Sequence, residues 1–387
     1  MEEWKSYKLS DVTDSIGDGI HGTPKYDEDG SYFFINGNNL ENGKIIIRSS
    51  TKRVSEEEAL KHRKRISERT ILVSINGTLG NTARYNYERC ILGKSACYLN
   101  VKEDVDIDFI YYVVTNKQFK DTISRLATGT TIKNVSLETM RNYEFFMPSL
   151  ENQKKISSIL KSIDDKIAIN CQINDNLEQQ ASNLFQDWLN NCENSIMLRE
   201  LTDNVLDYTP NTHEHVYLLN SSDVTEGQFT VLPLTPNINL KGQFKKRFKK
   251  GDILYSEIRP RNRHYAYCYF DADKYIASTR LIVLRAKPEK LTSSILLYQY
   301  LMLNNVFEEF TLKTESRSGT FPQGNYEDLS SIKVPYGASQ EKIAKALESI
   351  YKQLWTNLEE NERLEALRDS LLPKLMSGEL KINEIDC

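Results

Sequence analysis

The sequence lacks any hydrophobic run that approaches the roughly 20 residues needed to span a bilayer. Its first residues, MEEWKSYKLS, also lack the basic and then apolar plan of a signal peptide, so we expect a protein that stays in the cytoplasm. Cysteine is sparse, and the six cysteines are scattered without a CxxC pair. This distribution argues against a disulfide framework and against a zinc site, and it predicts free thiols.

Motifs for several kinds of catalysis are also missing. The chain contains no Pro-Pro, so it lacks the Asn/Asp-Pro-Pro-aromatic loop with which an adenine methyltransferase grips a flipped base. It also lacks GxxxxGK[ST], the loop that cradles nucleotide phosphates. The nearest nuclease-like pattern is Asp252 followed by Glu257-Ile258-Arg259, where arginine replaces the usual lysine. Its simpler interpretation is a strand over 252–258 that leads into an arginine-rich loop. The five histidines are too dispersed for a metal cluster, so we predict no catalytic residue, no metal site and no cofactor in this chain.

A basic total charge is absent as well. The net charge of −4 does not fit the simple expectation for a nucleic-acid-binding protein, so only the distribution of charge can point to such a partner. The length of 387 residues exceeds one ordinary core and suggests two or three domains.

What the sequence does contain is an internal duplication. Residues 150–190 match residues 337–377 at a constant offset of 187 (337 minus 150), for example where Gln153 falls on Gln340 and Leu160 on Leu347. Each half therefore consists of a variable globular part followed by a shared helix.

The two shared segments carry the heptad rhythm of a coiled coil. The first seam is Ile156, Leu160, Ile163, Ile167, Asn170, Asn174, Leu177, Ala181, Leu184 and Trp188. The second seam is Ile343, Leu347, Ile350, Leu354, Asn357, Asn361, Leu364, Arg368, Leu371 and Leu375.

The asparagines in both seams predict how the helices pair. In an antiparallel pair about a two-fold axis, Asn170 faces Asn361 and Asn174 faces Asn357, and only Ile163 opposite Arg368 is mismatched. A parallel pair in register would also align the asparagines, and two unrelated amphipathic surface helices are a further alternative. We favour the antiparallel pair because the halves are a covalent duplication, and we expect it to act as a spacer of roughly 60 Å.

The globular parts mix short β-rich runs, such as 32–35, 70–73 and 281–284, with amphipathic helices over 107–126 and 293–312. We therefore predict an α+β fold with two α/β domains and a pseudo-two-fold tandem duplication. The predicted boundaries are a first domain at 1–149, a central helix at 150–193, a second domain at 194–336, and a distal helix with a tail at 337–387.

Basic residues are concentrated in one stretch of each half. Residues 241–264 hold nine Lys and Arg against only Asp252 and Glu257, and 52–69 holds a looser cluster. Such stretches can neutralise phosphates, although a solvated charged face is the alternative. Within residues 241–264, the segment 259–263 (RPRNR) contains arginines, whose guanidinium groups can bind guanine edges, and an asparagine, which can bind adenine. The loop could also serve only as a phosphate clamp.

At this point the residues resemble a known family, the specificity subunits of type I restriction-modification systems, over essentially the whole chain. The resemblance rests on the order of the domains and helices and on short sequence motifs. The matching segments are DGIHGTP at 18–24, MPSLENQKKI at 147–156, FQDW at 185–188 and LLPKLMSGEL at 371–380. The second helix is preceded by VPYGASQ at 334–340, which lacks the Pro-x-Leu-Glu form of its counterpart.

The resemblance implies that each domain is a target-recognition domain that reads one half of a gapped, asymmetric DNA site, and that the helices set the gap. It also implies partners, namely double-stranded DNA, two methyltransferase subunits that hold S-adenosylmethionine, and restriction subunits that use ATP and Mg. The residues that we expect to contact DNA are His21, Thr23, Lys25, Asn76, Thr78, Arg84, Thr130, Lys133, Arg259, Arg261, Asn262, Arg263, Arg317, Ser318 and Gln323.

Two alternatives stay open. One is the equivalent subunit of a type IIB-like system, which the sequence does not separate from type I. The other is a free-standing nuclease or methyltransferase, against which the missing motifs speak. The target bases do not follow from the sequence, because base readout depends on loop geometry.

Overall fold

A computed structural model describes residues 4–192, 194–287, 290, 292–315, 323–337 and 339–380. The chain divides into two compact units. Unit 1 comprises Met1–Ala168 and Asn361–Cys387, and unit 2 comprises Ile169–Glu360. The predicted boundaries separate the two helical segments, 150–193 and 337–387, from the domains, whereas each unit includes part of both long helices.

The elements of the first half follow one another from β1 to α5. Its strands are β1 (Lys5–Lys8), β2 (Thr13–Gly17), β3 (Tyr32–Ile35), β4 (Leu40–Glu41), β5 (Lys44–Ile45), β6 (Arg53–Val54), β7 (Thr70–Ser74), β8 (Thr82–Arg84), β9 (Cys90–Leu92), β10 (Ala96–Val101) and β11 (Glu144–Met147). Its helices are α1 (Glu56–His62), α2 (Ile107–Thr115), α3 (Lys117–Leu126), α4 (Leu137–Arg141) and α5 (Leu150–Asn190).

Unit 1 is built on an antiparallel sheet in the order β2-β10-β7-β8. A smaller sheet has the order β6-β3-β9, in which β3 and β9 are parallel. Every residue of β7 is buried, because the four-stranded sheet is covered on both faces. Since successive side chains of a strand point to opposite faces, Ile71 and Val73 pack into the core that includes Phe109 of α2, whereas Leu72 packs with Ile35.

The second half repeats this plan from β12 to α10. Its strands are β12 (Ser195–Met197), β13 (Thr202–Asn204), β14 (His215–Leu219), β15 (Val224–Thr225), β16 (Gln228–Phe229), β17 (Thr235–Pro236), β18 (Phe244–Lys246), β19 (Ile253–Ser256), β20 (Tyr265–Tyr267), β21 (Tyr275–Ser278), β22 (Leu281–Ala286) and β23 (Lys333–Pro335). Its helices are α6 (Leu198–Leu201), α7 (Ser294–Leu301), α8 (Asn304–Glu315), α9 (Tyr326–Ser330) and α10 (Gln340–Ser377).

The main sheet of unit 2 repeats that of unit 1, in the order β13-β22-β19-β20. The second sheet of unit 2 has four strands, in the order β17-β14-β21-β18, and again contains a parallel pair, β14 with β21. The two faces of β19 also divide in the same way, because Ile253 and Tyr255 join the core beneath α7 and α8 while Leu254 joins the core beneath β14. The predicted mixture of helix and sheet, and its duplication, are confirmed.

The single helices predicted over 107–126 and 293–312 are wrong, because each stretch forms two helices. In unit 1, Asn116 stops α2 and caps α3, since its side chain accepts a hydrogen bond from the backbone of Gln118 at 3.1 Å. Asparagine competes with helical hydrogen bonds in this way. In unit 2, α7 ends at Leu301 and α8 begins at Asn304.

Within each unit, α5 and α10 run antiparallel. In unit 2, Asn357 Nδ2 donates to Asn174 Oδ1 at 2.8 Å, and Asn170 Nδ2 donates to Glu360 Oε2 at 2.7 Å. In unit 1, Arg368 Nη1 lies 2.9 Å from Asp164 Oδ1. The predicted antiparallel arrangement is therefore confirmed inside each unit. The facing of Asn170 and Asn361, whose residues belong to different units, stays a prediction.

One seam position was assigned wrongly. Leu184 is 41% exposed, whereas its neighbour Phe185 is 3% exposed and packs in the core of unit 2 with Leu347. The ideal helix has 3.6 residues per turn and drifts against a strict heptad repeat. Near its end, α5 thus buries Ala181, Phe185 and Trp188.

Candidate nucleic-acid interface

Three segments of unit 1 that contain predicted DNA contacts meet at one groove. The groove has a volume of about 490 Å³. It is lined by Asp18, His21, Ile75, Asn76, Lys94, Asn134, Val135, Ser136 and Leu137. The structure therefore brings together segments that lie more than a hundred residues apart in the sequence.

Backbone pairing fixes the loops around this groove. The residue after β7, Ile75, is followed by a single antiparallel bridge between Asn76 and Asn134. Gly77 N donates to Lys133 O at 3.0 Å, and Thr128 and Asn134 exchange backbone hydrogen bonds at 2.9 and 2.8 Å. Backbone pairing thus continues past the end of β7, and it fixes the backbone of these loop residues.

Two pairs of side chains within the groove contact each other. Asn76 Nδ2 donates to Asn134 Oδ1 at 3.2 Å. His21 Nε2 lies 2.9 Å from Asp18 Oδ2, and the His21 side chain is largely exposed. Both predicted residues, His21 and Asn76, are accordingly available at the surface.

The other predicted residues of this half surround the groove or lie apart from it. Thr23, Thr78, Thr130 and Lys133 are exposed, and Lys25 is exposed with its backbone N–H on Glu58 Oε1 at 2.9 Å. Arg84 is different, because its guanidinium pairs with Asp108 and lies 4.3 Å above the ring of Tyr111. Its role as a DNA contact stays a prediction, and its geometry shows a contact between β8 and α2.

In unit 2, the arginine-rich loop connects β19 to β20. Arg259 and Arg263 have positive φ angles of 46° and 52°, in the left-handed region that is uncommon for non-glycine residues. Between them Pro260–Asn262 forms one turn of 3-10 helix, closed by hydrogen bonds from Asn262 N to Arg259 O and from Arg263 N to Pro260 O. The turn exposes Asn262.

Two arginines of this loop bind α8. The carboxylate of Glu315 accepts from Arg261 Nε at 2.8 Å and from Arg261 Nη2 at 3.1 Å. Arg263 Nη2 donates to Asn304 Oδ1 at 2.7 Å, and its guanidinium lies 4.8 Å above the ring of Phe307. These contacts hold the loop in place, and they use only part of the donors of each guanidinium.

The loop of unit 2 is also bridged to a second segment. Ile258 pairs with Gln323 as Asn76 pairs with Asn134 in unit 1, and Gly324 N donates to Glu257 O at 2.8 Å. Gln323 is exposed beside Glu257, whose carboxyl pKa is raised by burial. The predicted residues Arg317 and Ser318 lie outside the described residues.

Not every residue of the two basic stretches faces solvent. Lys246 is 3% exposed, and its Nζ donates to Leu281 O at 2.6 Å. Arg69 donates to the backbone oxygens of Val101 and Val105 at 3.0 and 2.7 Å. These two cations stabilise the fold, so the interpretation of the whole stretches as phosphate-binding surface needs this correction.

The nuclease-like pattern at 252–259 also has a structural role. Asp252 is fully buried and accepts two hydrogen bonds from Arg285, at 2.7 and 2.8 Å, and one from Lys249 N at 2.9 Å. In the part of the chain that the structure describes, no group of three or more His, Cys, Asp or Glu side chains is placed to hold a metal ion. Among the same residues, none of the helices combines the length and the apolar character that a bilayer crossing requires.

Sequence reasoning missed Lys94 and Asn134, both of which line the groove. Lys94 stands alone between β9 and β10, and no charge pattern marks it. Asn134 ends a polar loop that begins at Gly129, so the loop itself was a usable signal. The pairing of Asn134 with Asn76, which lies 58 residues away, has no signal in the sequence.

The family model of the type I restriction modification DNA specificity domain matches residues 1–179 and 233–366 of the chain. A similar protein is the type I restriction enzyme HindI specificity subunit of Haemophilus influenzae, which is 35% identical over 163 residues. That match covers 42% of this chain and 35% of the length of the relative. The MjaIX specificity subunit of Methanocaldococcus jannaschii is 21% identical over 424 aligned positions, which cover 99% of this chain and 95% of that protein.

Among solved structures, the chain is similar to the type I restriction-modification system S subunit from M. genitalium. The TM-score is 0.65 at 18% sequence identity, and the match covers 97% of this chain and 96% of that one. At this identity the likeness establishes the fold.

Proposed function

This chain belongs to the family of type I restriction-modification DNA specificity domains, and on that premise we propose that it is the DNA-recognition subunit of a type I complex. Each unit reads one half of a gapped, asymmetric site. The chain determines which DNA sequence is bound, and the partner subunits carry out methylation and cleavage.

The observation that carries this proposal is the duplicated topology with one loop cluster in each copy. In unit 1 the loop after β7 is bridged to Asn134, and in unit 2 the loop after β19 is bridged to Gln323. Two copies of one scaffold with different loop residues suit two different half-sites, because base contacts specify sequence whereas the scaffold only positions them.

The long helices are suited to set the distance between the two half-sites. Both α5 and α10 contribute residues to each unit, so a change in helix length acts on both. Their surfaces are the proposed docking sites for two methyltransferase subunits. S-adenosylmethionine, ATP and Mg are proposed to belong to the methyltransferase and restriction subunits, and the complex is proposed to act in the cytoplasm, where the DNA is.

The proposal is tested by expressing the chain with the methyltransferase subunits of its own locus and mapping the N6-methylated adenines in the host DNA. We expect methylation of one bipartite motif, with two short specific parts separated by a gap of fixed length. The chain alone should methylate and cleave nothing.

Methylation by the isolated chain would instead support the free-standing enzyme. A mapped motif without a gap, or methylation that does not depend on this chain, would contradict the recognition role. Cleavage on both sides of the motif by the assembled complex would identify a type IIB-like system.

A further inference from the structure

The groove of unit 1 contains a pair of amides whose hydrogen-bonding capacity is only partly used. Asn76 and Asn134 form one hydrogen bond with each other, at 3.2 Å. Among the described residues, neither amide makes another side-chain hydrogen bond. Whichever amide donates within the pair, one amide nitrogen and one carbonyl oxygen take no part in this hydrogen bond.

The pair is held in a fixed position. The backbones of the two asparagines are bridged to each other, and Asn134 is bridged to Thr128 on its other side. Groups that are positioned before binding lose little conformational freedom on binding, which favours specific readout.

One base edge matches this pattern. In the major groove, adenine presents a donor at N6 beside an acceptor at N7, whereas guanine presents two acceptors, cytosine a donor and thymine an acceptor with a methyl group. We propose that the Asn76–Asn134 pair reads one adenine of the half-site that unit 1 recognises. This inference rests on the proposed function.

A cation stands in the same groove. Lys94 is exposed, and among the described residues its ammonium makes no ion pair, while its backbone N–H is fixed to Ile20 O at 3.0 Å. Its charge anchors the groove on DNA through an acceptor oxygen or nitrogen, either on a backbone phosphate or on a guanine next to the adenine.

The corresponding place in unit 2 has different chemistry. There Ile258 and Gln323 occupy the bridge, and the carboxylate of Glu257 lies beside Gln323. An aliphatic side chain has no hydrogen-bonding group, so the amide pair belongs to unit 1 alone. A change in this pair should therefore affect one half-site.

The test uses the assembled complex and duplexes that carry each of the four bases at every position of the mapped motif. Asn134→Asp keeps the shape and still accepts from Asn76, but it removes the Nδ2 group of Asn134, which takes no part in the hydrogen bond with Asn76. We expect the preference for adenine at one position of one half-site to fall by about 5- to 150-fold, the range for one bidentate base contact. Asn86→Asp makes the same change at an exposed asparagine in the β8–β9 loop and should leave every preference unchanged.

Lys94→Met separates the two sources of its acceptor. Uniformly slower methylation with a weaker dependence on salt would identify a phosphate, and relaxed preference at one further position would identify a guanine. Lys44→Met, at an exposed lysine outside the groove, is the matched control.

Unchanged preference in Asn134→Asp would overturn the inference, and so would an effect on both half-sites. Unchanged rate and preference in Lys94→Met would remove Lys94 from the site. Either result would leave the gapped motif of the wild-type complex intact. Failure of the proposed function itself would appear as the absence of such a motif.

Discussion

Arg368 occupies a seam position of α10 that the heptad pattern reserves for an apolar side chain. Its guanidinium turns to Asp164 of α5, whose other carboxylate oxygen accepts from the hydroxyl of Tyr112 at 2.7 Å. Burial, together with the hydrogen bond to Asp164, raises the pKa of Tyr112. The carboxylate of Asp164 in α5 therefore contacts both α10, through Arg368, and α2, through Tyr112.

Replacement of Asp164 should weaken this junction. In Asp164→Asn, we expect a loss of about 1–2 kcal/mol in unit 1, because a hydrogen bond between charged groups is lost but the pair is partly exposed to solvent. Hydrogen exchange measured by mass spectrometry should show faster opening of peptides from α2 and from the C-terminal part of α10.

The duplicated chain offers a matched variant for that experiment. Positions 299 and 351 are the counterparts of 112 and 164 (each plus 187), and there Gln299 Nε2 donates to the hydroxyl of Tyr351. Tyr351→Phe should therefore accelerate exchange in unit 2. If Asp164→Asn accelerated exchange equally in both units, the junction would not be local to unit 1.

Burial also decides which thiols react. It raises the pKa of Cys268 to about 12 and that of Cys97 further still. Iodoacetamide should label the exposed Cys171 of the folded chain, and it should label Cys97 and Cys268 only in urea. Raising the pH from 7 to 9 should not make these two react in the folded chain, since their thiols stay protonated.

The same shifts imply a loss of stability at high pH. A thiol with an unfolded pKa of about 8.5 ionises in the unfolded chain first, so the folded chain is favoured below that pH and loses stability between about 8.5 and 12. Peptide mass spectrometry after labelling, and urea midpoints at pH 7 and 9, check both statements. Rapid labelling of Cys268 in the folded chain would contradict them.

At the scale of elements, the helix pair depends on an asparagine contact. Asn174 and Asn357 are both at most 7% exposed, and Asn174 Nδ2 also donates to Leu354 O at 3.3 Å. A buried asparagine in a helix seam fixes register and partner at a cost in stability. The contact thus selects one alignment of α5 and α10 among those that a leucine seam would allow.

A double-mutant cycle can measure this effect. Asn174→Leu leaves the buried Nδ2 of Asn357 without its acceptor and should lower the free energy of unfolding by about 1–3 kcal/mol. The double variant, with Asn357→Leu as well, should regain most of that loss. Urea denaturation of the three variants and the wild type gives the coupling, and additive losses would show that the two asparagines act independently.

The elements could be predicted where one physical signal dominates. The heptad seams predicted both long helices, and short hydrophobic segments predicted the strands β7, β19 and β22. The breaks at Asn116 and before Asn304 were missed because capping competes with a helical pattern that continues across them. Phe185 was missed because a strict heptad repeat ignores the drift of a 3.6-residue helix.

At the scale of the whole molecule, the loops could be predicted but the groove could not. Residues of these loops, among them Asn76, Lys133 and Arg261, could be named from the sequence. The bridges from Asn76 to Asn134 and from Ile258 to Gln323 depend on long-range pairing, as do the contacts that bind Arg261 and Arg263 to α8. The base contacts themselves stay predictions.

The duplication predicts that the two target-recognition domains can be exchanged independently of each other. We expect that grafting a foreign recognition domain over residues 1–149, with both long helices retained, changes one half-site of the methylated motif. The other half-site and the gap should stay unchanged, because their determinants lie in the second half and in the helices.

A helix insertion is the complementary experiment. One added heptad within residues 157–187 lengthens α5 by roughly 10 Å, at 1.5 Å per residue, and preserves the phase of its seam approximately. We expect it to alter the gap or to prevent assembly with the methyltransferase subunits, without rewriting either half-site. Methylation mapping reads out both variants, with an exchange of exposed residues in α5 at constant length as the control. If the graft changed both half-sites together, the two units would read DNA jointly, and the model of two independent readers would be wrong.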